Sequence, residues 1–212
     1  MRVLELFSGT GSVGKVCKEK NWKVLSLDLK NADINCDIMN WNYKEFDRDA
    51  FDIIWSSPPC TSYSALLASW IGRNVRGEFY TKEIMERDML EGDKIVKKTL
   101  EIINYFNPKY WFMENPQTGR LKSRDFMKDI PYYDVSYCHY SDWGYRKHTR
   151  IWTNKTDFIP KWCKRDCDNM ITSTKHRVDL QNLNIELKYR IPPNLIRDLL
   201  NVEVNDSDVD KN

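Results

Sequence analysis

Short apolar runs separated by polar stretches recur along the chain, and their spacing switches between the two-residue period of strands and the 3.6-residue period of helices. Runs at Arg2–Phe7, Lys23–Leu29, Ile34–Ile38, Phe51–Ser56, Tyr110–Glu114, Tyr133–Tyr140 and Arg150–Thr153 predict seven strands. Between the fourth and the fifth, Val96, Leu100, Ile103 and Phe106 repeat at helical spacing until Asn107-Pro108 stops the pattern. Ile191-Pro192-Pro193 opens a last apolar helix, Asn194–Leu200, with proline in the first turn where a helix tolerates it. Strands alternating with helices in this way predict an α/β domain on a parallel sheet covered on both faces.

Two stretches break the pattern. Thr61–Arg87 is polar, aromatic and irregular, and reads as a long surface loop of the kind that is usually functional. Asn154–Leu187 shows little periodicity, with Trp162, Cys163, Cys167 and His176 set among charges, and reads as a small second lobe or insertion. The expected organisation is a core over 1–153, a small segment over 154–188, a closing helix over 189–201 and a flexible acidic tail over 202–212.

Composition sharpens this picture. No apolar stretch approaches the ~20 residues that span a bilayer. The opening MRVLELF enters a strand pattern without a basic leader, so a soluble, intracellular protein with no membrane partner is expected. Six cysteines, at 17, 36, 60, 138, 163 and 167, do not form a compact disulfide framework; a reducing compartment is expected, in which one can be a working thiol. The net charge of +2 is small, but Arg146 to Lys188 carries ten Lys/Arg against five Asp/Glu, a local excess suited either to a phosphate backbone or to a solvated face.

The candidate chemistry clusters at the strand ends. After the first strand comes Phe7-Ser8-Gly9-Thr10-Gly11-Ser12-Val13-Gly14, a glycine turn that opens a helix, where free N–H groups and the helix N-terminus can meet a carboxylate or a phosphate. Asp28, about 20 residues on, is placed to accept from both hydroxyls of a ribose, with Leu29 beside it. Asp37 can accept from an adenine amine while Ile38 packs on the ring; the alternative for Asp37 is a turn cap. The absence of a P-loop lysine argues against a nucleoside triphosphate. At the fourth strand end, Pro58-Pro59 stiffens the backbone and presents the Cys60 thiol at the carboxyl edge of the sheet, where open α/β folds bind ligands. A free thiol has a pKa of about 8.5 and needs nearby positive charge to become a nucleophile. The fifth strand brings the Glu114 carboxyl to the same edge.

Taken in order, FSGTGSVG (7–14), LDL (27–29), CDI (36–38), SPPCTSYS (57–64), WFMENPQTG (111–119) and RIPPNLIRDLL (190–200) resemble the motifs of the DNA cytosine-5 methyltransferase family. The resemblance covers Met1 to about Trp152 and the closing helix. It implies a seven-stranded Rossmann-like methyltransferase sheet with S-adenosylmethionine as cofactor, held by Phe7, Ser8, Gly9, Gly11, Ser12, Val13, Asp28, Leu29, Asp37, Ile38 and Pro58. Cys60 is then the covalent nucleophile, adding to carbon 6 of cytosine, and Glu114 binds N3 and the exocyclic amine, so that carbon 5 takes the methyl group before elimination. Asn115-Pro116 stands where the family has Asn-Val. The family's Gln-x-Arg-x-Arg motif has a loose counterpart in 143–150. Matching Arg146 and His148 to its first positions leaves Arg150 as the cation for the base carbonyl or the thiolate.

The implied partner is double-stranded DNA with a flipped cytosine, bound by a monomer. Ser62, Tyr63, Trp70, Arg73 and Arg76 of the loop after Cys60 would close over the DNA. RNA is the alternative substrate, and a silent nucleic-acid-binding member of the fold is a reading from another class. The interval between the basic motif and the closing helix is short for a recognition domain, which implies limited sequence preference, and the compact chain resembles virus- or phage-encoded members. Cys163-x3-Cys167 with His176, and Cys138 as a further ligand, has the make-up of a zinc knuckle without the usual Cys-x2-Cys pair; no metal is assigned from the sequence.

Overall fold

The computed structural model describes residues 1–75 and 77–201. Arg76 and the expected flexible tail, 202–212, lie outside the described residues.

Seven strands form one sheet: β1 (Arg2–Leu6), β2 (Lys23–Asp28), β3 (Ile34–Asn35), β4 (Ile53–Ser56), β7 (Tyr110–Pro116), β8 (Tyr132–Ser136) and β9 (His148–Thr153). A small separate hairpin pairs β5 (Asn74–Val75) with β6 (Glu78–Phe79). The order across the sheet is β3-β2-β1-β4-β7-β9-β8. The first five in that order run parallel, and β9 lies antiparallel to both its neighbours. The expected all-parallel sheet is therefore mixed. Only residues 137–147 link β8 to β9, and a parallel return needs a crossover of about a dozen residues or more, so the chain folds back antiparallel.

Alternation along β1 sets the two layers. Val3 joins α1 (Ser12–Glu19) and α5 (Pro193–Leu199) in one core, while Leu4 and Leu6 join α3 (Lys82–Phe106) in the other. The closing helix thus packs on α1, with Leu195, Ile196 and Leu199 fully buried. The opposite layer is closed by Trp41, Tyr43, Phe51 and Phe106, whose rings meet edge-on or tilted, as aromatic quadrupoles favour.

The long loop expected over Thr61–Arg87 is largely structured. Helix α3 begins at Lys82, where Thr81 caps the Ile84 N–H, and runs 25 residues, roughly 37 Å, to a left-handed Asn107. Before it lie a 3₁₀ turn at Thr61–Tyr63 and the short helix α2 (Leu67–Trp70). Tyr63, expected among the residues that close over the DNA, is instead fully buried and donates to Asp93 of α3 at 2.9 Å. Gly92 permits this docking: a Cβ there would stand 2.8 Å from Ser62 Cβ and 3.0 Å from the Tyr63 ring.

Residues 154–188 have little regular structure beyond an isolated Met170–His176 bridge, a 3₁₀ turn at Leu180–Asn182 and most of α4 (Ile185–Tyr189). No helix among the described residues is long and apolar enough to cross a membrane.

Candidate active site

After β1 the chain leads into β2 and β3 on one side, then crosses to β4 on the other. The carboxyl ends of β1 and β4 therefore flank the point where strand order reverses, and a crevice opens there because the connections diverge. A cavity of about 380 Å³ occupies this position.

Its first wall is the glycine turn. Phe7, Gly9 and Gly11 all take left-handed backbone, at φ 58°, 48° and 64°. Glycine does so freely, whereas for Phe7 the conformation is strained and is held by the turn around it. Phe7, Ser8, Gly9, Thr10 and Ser12 line the cavity. Gly11 and Val13, expected to bind cofactor directly, do not line it. Gly11 shapes the entry to α1, and Val13 is buried in the core with its N–H turned to Glu5. Asp28 lines the cavity next to the turn, with Leu29, and accepts from the Gly9 and Leu29 N–H groups at 2.8 and 2.7 Å, which ties β2 to the turn. Each carboxylate oxygen keeps a further lone pair. Asp37 both caps the Met39 N–H at 2.9 Å and lines the cavity beside Ile38, so the two readings of this residue coexist.

Cys60 follows β4, and Pro58 and Pro59 line the cavity with it. Asn115 Nδ2 donates to the Pro58 carbonyl at 2.8 Å, which locks the Pro-Pro-Cys segment to β7 next to Glu114. Burial pushes the Cys60 thiol up, the Glu114 carboxyl pushes it the same way, and the Lys147 ammonium pulls it down. Glu114 is buried and also lines the cavity. Its Oε1 accepts from the Tyr137 hydroxyl at 3.1 Å and stands 3.4 Å from Lys147 Nζ.

Arg150 is placed elsewhere. Its guanidinium grips Asp134 on the adjacent β8 through two 2.8 Å bonds, stacks 3.4 Å from the Tyr132 ring centre, and does not line the cavity. The cation at the thiol and carboxyl is Lys147, held by the Lys188 carbonyl at 3.1 Å. His148 is turned toward Ser136 and stacked on Trp162, with burial lowering its pKa to about 4, so it stays neutral.

The sequence reading also missed Glu5, Tyr137 and Tyr189. Glu5 is an acid in the middle of an apolar strand, which was a visible signal. It lines the cavity and accepts from Gly14 and Val13, and burial outweighs those bonds, raising its pKa to about 7. Tyr189, with Ile191, closes the rim from the far end of the chain.

Sheet order, glycine turn and carboxyl-edge cavity together define an α/β fold of the nucleoside-cofactor type. A protein of Frog virus 3 (isolate Goorha), named "Probable DNA (cytosine-5)-methyltransferase", is 40% identical over 218 residues, covering 95% of this chain and all 100% of its own length. The chain belongs to the DNA (cytosine-5)-methyltransferase family. No protein-family model matches it. Among solved structures, the Entamoeba histolytica methyltransferase EhMeth aligns with a TM-score of 0.52 at 15% identity, over 77% of this chain and 57% of that one. The S. pombe Dnmt2 methyltransferase aligns at 0.49 and 15%, over 87% and 60%. The chain thus spans less than two thirds of these two solved structures. EhMeth is a likeness of fold, and that fold is the Rossmann-like methyltransferase sheet the motifs implied.

Proposed function

We propose that the protein methylates carbon 5 of cytosine in DNA, with S-adenosylmethionine as donor and Cys60 as covalent nucleophile. The observation that carries this reading is the meeting of a thiol, a carboxyl and an ammonium, from Cys60, Glu114 and Lys147, in the cavity that also holds the glycine turn. The cavity suits the donor on chemical grounds. Its lining has four carboxyl side chains, Glu5, Asp28, Asp37 and Glu114, against the single cation Lys147, so it favours a ligand carrying positive charge and disfavours a polyphosphate. Asp28 and Asp37 would take the ribose and adenine, Phe7, Leu29, Ile38 and Pro58 the apolar surface, and Ser8, Gly9 and Ser12 the amino-acid end. Bound there, the donor supplies a methyl carbon made electrophilic by its sulfonium.

Cytosine carbon 5 is too weak a nucleophile unaided. The Cys60 thiolate adds to carbon 6, and the electron pair of the 5,6 double bond moves to carbon 5. The Glu114 carboxyl group hydrogen-bonds N3 and the 4-amino group, which favours the addition and selects cytosine over thymine. Lys147, 3.4 Å from Glu114 in the same cavity as Cys60, balances the charge that develops on the thiol or on the base carbonyl. After transfer, the carbon 5 proton passes to solvent, its bonding pair restores the 5,6 double bond, and Cys60 leaves carbon 6 as the thiolate.

A stacked base cannot reach this cavity, so the target is flipped, at a cost of a few kcal/mol. The protein would act as a monomer, within the infected host cell if its source matches that of its viral relative. Residues 1–153 with the closing helix form the catalytic unit, and 154–188 the short recognition segment.

The test is incubation with S-adenosylmethionine and duplex DNA containing 5-fluorocytosine, whose fluorine blocks elimination. A denaturant-stable adduct is expected with the native chain and none with Cys60→Ala. Methyl transfer to RNA alone would move the substrate class, and transfer by Cys60→Ala would refute the covalent route.

A further inference from the structure

Outside the catalytic cavity, one cluster of buried groups has no role in the chemistry described so far. Cys138 follows β8 in the 3₁₀ turn Tyr137–His139, whereas Cys163, Cys167 and His176 come from the irregular segment. Their ligand atoms all lie within 4.8 Å of one another. We propose that these four residues bind one zinc ion as a tetrahedral Cys3His site that fastens the 154–188 segment to the sheet.

The geometry fits a common centre. Zinc bonds of ~2.3 Å to sulfur and ~2.0 Å to nitrogen, at tetrahedral angles, require edges of roughly 3.8 Å between sulfurs and roughly 3.5 Å between sulfur and nitrogen. The Cys163 and Cys167 sulfurs are 3.7 Å apart, and His176 Nε2 stands 3.5 and 3.3 Å from them. All the cysteines are free thiols.

The surrounding backbone is shaped to the same end. Arg165 takes a left-handed φ of 70° and turns its N–H onto Cys163 Sγ at 3.3 Å, a bond that stabilises a thiolate. The Cys163 N–H is anchored to Ser136 Oγ at 3.0 Å, and Asn169 Nδ2 donates to the Cys138 and Ser141 carbonyls. The Met170–His176 bridge returns the histidine to the sulfurs.

Packing alone does not explain the arrangement. Cys138, Cys163 and Cys167 form a buried cluster separate from both layers of the core, with only Met170 packed against it. Phe158, Val178, Leu180 and Leu183 pack the two ends of the segment on the sheet, whereas the irregular stretch between them is centred on three thiols that bury little apolar area, the situation in which small modules use a metal. A second grouping, His139, Cys163 and Asp166, shares Cys163 but relies on an exposed carboxylate. Three soft sulfurs and an imidazole in a tetrahedron select zinc over the hard cations.

The site touches the catalytic machinery indirectly. The residue before Cys138 is Tyr137, which donates to Glu114, and its N–H is held by the Lys147 carbonyl. Metal occupancy should therefore steady the carboxyl without taking part in the reaction.

The full chain, purified under reducing conditions from zinc-supplemented cells, should contain one zinc per molecule by elemental analysis. Its cobalt-substituted form should show the intense visible bands of tetrahedral Co(II) with thiolate charge transfer. Cys163→Ser and His176→Ala should weaken metal binding at least ~100-fold, whereas Cys17→Ser, in the core layer of α1 and α5, should retain the ion. Metal-free native protein whose cobalt adduct lacks thiolate bands would overturn the proposal even if every variant misfolds. So would full zinc occupancy in a soluble Cys163→Ser chain. Metal content is read without activity, so this outcome is independent of the methyltransferase reading.

Discussion

Two residues three positions apart carry opposite expectations. Lys147 is nearly buried against Glu114, whereas Arg150 spends its guanidinium on Asp134. Removing a charge preorganised at the reacting atoms typically costs about 10²- to 10³-fold in turnover. Lys147→Met should therefore lose about that much kcat while still binding cofactor. Arg150→Ala should lose about 1 kcal/mol of stability and leave kcat within a few-fold. Single-turnover kinetics and urea unfolding of the two variants check this, and the reverse ranking would return the catalytic cation to Arg150. Glu5 adds a pH signature. Its folded pKa of about 7 exceeds its ordinary 4.5, so the folded state binds the extra proton. Its contribution to stability is intact below pH 4.5 and falls by roughly 3 kcal/mol as pH rises to about 7. A cationic donor favours the ionised carboxylate, so binding should release a proton and the affinity should rise with pH up to about 7. Calorimetry in two buffers of different ionisation enthalpy measures the release; Glu5→Gln should abolish it, and a pH-independent affinity in the native chain would show that Glu5 does not sense the donor.

At the scale of elements, the docking of the Cys60 turn on α3 rests on one missing side chain. Gly92→Ala gains about 1 kcal/mol of helix propensity. Overpacking against Ser62 and Tyr63, with the nearest atom 2.8 Å away on the Ser62 Cβ, costs about 1–3 kcal/mol. The clash should win, so the variant should unfold at lower urea and turn over more slowly as Cys60 is displaced; a stabilised Gly92→Ala would mean the turn is loosely held. This element also shows what was legible in the sequence. Strands β1, β2, β4 and β7, the glycine turn, Cys60 and Glu114 were readable because apolar runs end there in residues with few structural uses. The first turns of α3 were not, because Lys82–Glu91 is mostly polar and exposed, and only Ile84, Met85 and Met89 of its apolar residues turn inward. The cation was expected at Arg150 rather than Lys147 for a topological reason: sequence order cannot show that β9 inserts between β7 and β8, which commits Arg150 to a cross-strand ion pair and leaves the residue just before the strand to reach Glu114. The ligand set around Cys163 was dispersed over 39 positions of chain, and only folding shows that its sulfurs converge.

For the molecule as a whole, the open question is how a chain with a net charge of only +2 holds a polyanion. Its charge is unevenly distributed: the cofactor cavity is acidic, while the segment leading to the closing helix carries a local basic excess. Within that segment Lys164, Arg165 and Lys175 are exposed, and no ion pair among the described residues engages them, so their charge remains available to phosphates. Each phosphate contact steepens the fall of log affinity with log salt by ~0.9. Replacing all three with alanine should therefore flatten the slope by up to ~2.7, weaken binding to specific and unrelated duplexes alike, and leave cofactor affinity unchanged. Fluorescence anisotropy over a salt series measures this directly. An unchanged slope would place the DNA on another face and remove the 154–188 segment from the interface, because no sequence-specific contact could compensate a lost electrostatic one across every duplex tested.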